Sequence, residues 1–124
     1  AAFVLDALTS IFITILDLVL DPIAVDEGRW SWDKPGKYYG VPVKNFLGWF
    51  FNTAFILLVF SLLASNHTII STYPNYIIFA PAILFIILPA IAARPCLERN
   101  LNIASIIGLL FTSILIIMSY HNFL

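Results

Sequence analysis

The chain has 124 residues, 61% of them hydrophobic and 10% charged, with a formal net charge of −1 and a mean hydropathy of +0.99. A soluble domain carries about 25% charged residues, and a chain this short has too much surface for its volume to hide so much apolar area; lipid is the solvent this composition fits. The net charge by itself says nothing about nucleic acid, but the sequence has no basic patch to neutralise phosphates, so no nucleic-acid partner is expected; the single cysteine, Cys96, excludes an intrachain disulfide framework and a Cys-rich metal site.

Four apolar stretches, about 3–20, 46–65, 76–93 and 101–120, are each long enough to cross about 30 Å of hydrocarbon at about 1.5 Å per residue. They lack the alternation of barrel strands. Most are too uniformly apolar for surface helices. The expected fold is all-α: a polytopic transmembrane bundle of about four helices, forming a single membrane domain over 1–124. The chain begins at Ala1, and its first stretch has neither a basic flank before it nor a small-residue cleavage site after it. It reads as part of a longer chain rather than as a signal peptide.

The first helix carries acids. At about 100° per residue, Asp17 lies about 20° from Asp6 on the helical wheel, Ser10 about 40° and Asp21 about 60°, with Thr14 at the border. An acid facing lipid costs at least about 2.5 kcal/mol at the bilayer centre, so this stripe faces other helices or water. Two readings of Asp17 stay open: a hydrogen bond between helices, or a carboxyl that, withdrawn from water, can hold and donate a proton.

The connection 21–45 places Trp30, Trp32, Tyr38 and Tyr39 among charges, with turns marked by Pro35-Gly36 and by Gly40 with Pro42. Aromatics here either pack at the membrane surface or line a pocket, where their faces would stabilise a cation. On the second helix Asn45 and Asn52 lie about 20° apart and Trp49 about 40° from Asn45. Gly48 beside them allows close helix approach. The amides either join helices or position water or a polar substrate group.

The loop 66–75 has no Lys or Arg and contains a sequon, Asn66-His67-Thr68. Pro81 and Pro89 predict a bent third helix. The turn 94–100 holds Arg94, Arg99 and Cys96, the last read as incidental. All six basic residues, Arg29, Lys34, Lys37, Lys44, Arg94 and Arg99, fall in or beside the first and third connections. The positive-inside rule then puts 21–45 and 94–100 on the cytoplasmic side of the cell membrane. Tyr73, Tyr76 and Tyr120 fall near the outer interface and Trp49 near the inner one. His67 and His121 are isolated, so no metal site is expected. No phosphate loop, serine elbow or Cys-His pairing is present, and no cofactor is expected.

Asp21-Pro22, Glu27-Gly28, Trp30-x-Trp32, Tyr38-Tyr39-Gly40-Val41-Pro42 and Asn45-Phe46-x-Gly48-Trp49 together resemble the signature of the carotenoid-biosynthesis membrane proteins of the bisanhydrobacterioruberin hydratase and gamma-carotene 1′,2′-hydratase type. The run from Asp17 to Trp49 carries the resemblance; beyond it the helices match only in being apolar. The resemblance implies water addition across the terminal C1′,2′ double bond of an acyclic carotenoid. That chemistry needs an acid, a surface for a tertiary cation and a positioned water. The residues matched to these tasks are Asp17 or Asp21 as acid and Asn45 for the water. Trp30, Trp32 and Tyr39 would stand near the cation, with Trp49 and Asn52 at the substrate. The partners implied are a lipid-soluble polyene and the bilayer, with further helices of a longer chain or a second copy completing the bundle. Lycopene cyclase domains share part of this pattern, with acidic residues following the proline; here Pro42-Val43-Lys44-Asn45 has no Glu, which argues against cyclisation. The other class considered is a proton-coupled transporter or membrane subunit in which the acidic stripe relays protons.

Overall fold

The computed structural model describes the backbone of residues 2–64 and 75–123, and the side chains of 3–64 and 80–120. The sequon at Asn66, with His67, Tyr73 and the side chains of Tyr76 and His121, lies outside the described residues. The described chain forms four helices: α1 (Ala2–Asp26), α2 (Val43–Ala64), α3 (Asn75–Glu98) and α4 (Asn102–Phe123). Each contains a span long and apolar enough to cross a membrane. No strand forms among the described residues, so the all-α transmembrane bundle is observed as expected.

The helices end later, or start earlier, than the apolar runs suggest. α1 continues past residue 20 to Asp26, taking Asp21 and Pro22 into the helix. It stops at Gly28, whose φ of 68° is left-handed and free of Cβ strain. There the Gly28 amide donates to the Val25 carbonyl at 3.0 Å and the Arg29 amide to the Ala24 carbonyl at 2.9 Å, the paired bonds of a Schellman cap. α3 likewise runs past 93 to Glu98 and ends the same way. Asn100 sits at φ 59°, its amide bonds Leu97 at 3.1 Å and the Leu101 amide bonds Cys96 at 2.8 Å. Cys96 therefore lies in a helix, not in the turn where it was expected. Its side chain is fully buried.

α1 packs against all three other helices, whereas α2 touches only α1 among the described helices. α1 and α2 run antiparallel, since early α2 meets late α1 (Asn45 with Asp17) and late α2 meets early α1 (Ser61 with Asp6). α3 and α4 form a tight hairpin. Gly108 allows it: a Cβ there would stand 2.6 Å from the Pro89 carbonyl oxygen and 3.3 Å from the Ala93 Cβ. Such close approach through small residues is how membrane helices gain packing energy without a hydrophobic drive.

The core gathers at one end of the bundle. Val19 and Ile23 of α1, Ala92 and Cys96 of α3, and Leu101 and Ala104 at the start of α4 pack together, with Tyr38 and Tyr39 of the first connection against them. The same end is tied by charge. Arg99 pairs with Glu27 at 2.6 Å and with Asp26 at 3.3 Å, so the first and third connections share one end of the molecule.

Candidate active site

The α1/α2 interface brings two acids and an amide together. Asp17 and Asp21 stand one turn apart on α1 and are both nearly inaccessible, 8% and 4% exposed. Asn45, in the first turn of α2, donates through Nδ2 to Asp17 Oδ2 at 2.9 Å and also to Asp21 Oδ2. One amide nitrogen has two hydrogens, so a single side chain serves both carboxyls. The pair lies beside the first turn of α2, the helix end that carries partial positive charge. Every ion pair among the described residues lies elsewhere, at the helix ends; neither acid meets a cation.

Two open cavities adjoin Asn45. One, about 500 Å³, is lined by Trp32, Asp33, Lys34, Pro42, Lys44 and Asn45. The other, about 380 Å³, is lined by Lys44, Asn45, Gly48, Trp49 and Asn52. Farther along the same interface lies an aromatic groove of about 470 Å³ that includes Phe50, Phe51 and Phe55. Asp6 sits in that groove, and its carboxylate accepts from the Ser61 hydroxyl at 3.3 Å.

The residues singled out from sequence thus fall into two groups. Asp17, Asp21 and Asn45 touch one another, with Trp32, Trp49 and Asn52 lining the cavities around Asn45. Trp30 and Tyr39 stand apart from them. Trp30 is 46% exposed and stacks under Arg29, whose guanidinium carbon is 5.9 Å from its ring centroid. The Tyr39 hydroxyl accepts from the Ile103 amide at 3.0 Å, satisfying one of the unpaired donors at the start of α4.

Sequence reasoning missed Tyr38. In an α-helix the Leu18 carbonyl would accept from the amide of residue 22, but Pro22 has none. The Tyr38 hydroxyl fills the gap, donating to that carbonyl at 2.8 Å. Burial pushes the Tyr38 phenol well above its ordinary pKa, so it keeps its proton. Pro22 signals an unpaired carbonyl four residues earlier only once residues 21–26 are seen to continue α1.

Helices, burial and an uncompensated acid pair define a polytopic membrane protein with a polar site between two of its spans. Residues 3–115 match the carotenoid biosynthesis protein family, and the chain belongs to that family. The match extends well past Trp49, through α3 and most of α4. Among curated proteins the chain is similar to the bisanhydrobacterioruberin hydratase of Haloarcula japonica, at 42% identity over 48 residues; these make up 39% of this chain and 16% of the hydratase. The match thus spans a small part of that relative's length. No solved structure matches the chain.

Proposed function

We propose that this protein hydrates the terminal C1′,2′ double bond of an acyclic carotenoid, with the α1/α2 interface as the reacting site. The observation that carries this reading is the cluster of Asp17, Asp21 and Asn45, withdrawn from water and without a cation. Two adjacent carboxyls in such a place can hold one proton between them, because like charges this close disfavour double ionisation. A carboxyl proton passes to C2′ of the alkene and leaves a tertiary cation at C1′. Water adds its oxygen to C1′, and the proton it sheds returns to the carboxylate. The net change is the gain of one water.

The neighbouring groups suit these steps. Asn45 commits its amide hydrogens to the acids, which leaves its carbonyl oxygen to hold the water. Trp32 and Trp49 line the adjoining cavities and offer faces to the cation. The groove at Phe50, Phe51 and Phe55 offers an apolar bed to the rest of the polyene. Trp30 and Tyr39 are engaged elsewhere and take no part in this scheme. The basic connections, which share one end of the molecule, face the cytoplasm in this reading, so the acid pair stands near that side.

The test is product analysis by liquid chromatography–mass spectrometry in cells that make an acyclic carotenoid. The protein yields a product heavier by one water, and Asp17→Asn abolishes it while the variant still reaches the membrane. Ring formation without mass change would indicate cyclisation instead, and unchanged hydration in Asp17→Asn would remove Asp17 from the mechanism.

A further inference from the structure

The two acids flank an interrupted turn. Leu18 lies between Asp17 and Asp21, and its carbonyl is the one that Pro22 leaves without a donor. In a membrane-spanning helix such a carbonyl needs a partner from the protein, and a flexible one would let the turn that carries both acids drift. The next carbonyl, that of Val19, is also gripped from outside the helix, by the Cys96 thiol at 3.4 Å.

Tyr38 reaches both walls of the site. Its hydroxyl holds the α1 turn at Leu18. Its ring packs edge-on against Phe46, 5.8 Å between centroids at 75°, and Phe46 is the neighbour of Asn45 on α2. The residue is itself held firmly. The Val41 amide donates to the Tyr38 carbonyl at 2.8 Å, closing a turn whose central residues, Tyr39 and Gly40, have φ of 48° and 82°. Both positive angles belong to a type I′ turn, in which a tyrosine is unusual and strained, because its Cβ crowds the following carbonyl. The Tyr39 hydroxyl bond to α4 and its 4.9 Å ring contact with Tyr38 offset that strain. Val41, 1% exposed, pins the far side of the turn.

We propose that Tyr38 is a positioning residue: through the Leu18 carbonyl it fixes the separation of Asp17 and Asp21 and their register with Asn45. Pro22 creates the vacancy that lets a residue of the connection control the acid pair. The catalytic consequence rests on the hydration reading above; the geometric one does not.

A double-mutant cycle tests it in the full protein, with Tyr38→Phe, Pro22→Ala and both together. Alanine at 22 restores the helical donor to Leu18, so the tyrosine hydroxyl becomes dispensable. Two readouts are followed: the rate of hydration, and the infrared carboxyl bands of protein labelled with ¹³C at aspartate. Tyr38→Phe in the Pro22 background should lower kcat by about tenfold or more, with KM little changed, because small misplacements of reacting groups are costly. It should also shift the carboxyl bands. In the Pro22→Ala background it should do neither. A shift in the bands that Pro22→Ala suppresses, in a protein that hydrates nothing even as wild type, would support the positioning role and overturn the hydratase reading. Tyr38→Phe leaving bands and kcat unchanged, or altering them equally in both backgrounds, would overturn the positioning role. Yield in the membrane fraction guards against simple misfolding, and recovery by Pro22→Ala is not expected of a residue that only supports the fold.

Discussion

The two sides of α1 are built on opposite principles. Toward α3 and α4 it makes packing contacts: Val19 and Ile23 pack with Cys96 and Ala104, and Phe12 packs against Phe85 and Phe111, while α3 and α4 are locked to each other where Gly108 admits the Pro89 carbonyl. Toward α2 it meets hydrogen-bonding groups, with Asp17 and Asp21 sharing Asn45 at one end and Asp6 accepting from Ser61 at the other. α2 has no buried residue. In lipid, where apolar faces gain little by meeting each other, close packing and polar contacts are the two means of helix association. This protein uses packing to hold the bundle and polar groups to build a site. Cavities open on both sides, but those at Asn45 have polar walls, whereas the one between α1, α3 and α4 is walled almost wholly by apolar residues such as Leu8, Phe12, Phe85 and Phe111.

That division predicts different failures for the two interfaces. The largest effect is expected at the acids: Asp17→Asn or Asp21→Asn should reduce hydrated product at least about hundredfold, the scale of a lost general acid, with normal insertion by membrane fractionation. Next comes Gly108→Ala, which places a Cβ against the Pro89 carbonyl; it should cost about 1–3 kcal/mol of stability, read as a lowered Tm in detergent, while molecules still folded keep their activity per mole. Asn45→Ala should reduce turnover more than it reduces Tm, since Asn45 is the α2 side chain that bonds both acids, whereas α1 and α2 also meet along the rest of their length. The smallest effect is Arg99→Gln. Its partners are partly exposed, and such pairs are worth at most about 1 kcal/mol, so neither Tm nor product should change much. Loss of activity in Gly108→Ala at unchanged Tm would erase the distinction between the interfaces.

The helices were legible in the sequence because hydrophobic runs of spanning length have few other solutions. The acid stripe was legible for a related reason: Asp17 cannot face lipid, and the nearest amide on the next span is Asn45. The helix ends were harder. Residues 21–26 look like a loop by polarity, yet they continue α1, because Tyr38 repairs the bond that Pro22 removes and Gly28 supplies the cap. Tyr39 and Ser61 were illegible for a different reason. Tyr39 acts on a backbone amide 64 residues away, and Ser61 is a lone hydroxyl in an apolar run; neither role exists until the helices have packed.

The central claim is that a carboxyl of the α1/α2 interface protonates the alkene and water then captures the cation. The most direct measurement is the product made in D₂O, analysed after back-exchange of labile hydrogens. The account predicts one carbon-bound deuterium, on the carbon next to the new tertiary alcohol, in wild type and no such product in Asp17→Asn. An alcohol formed without carbon-bound deuterium would contradict it, since the hydroxyl would then have arrived without protonation of the double bond.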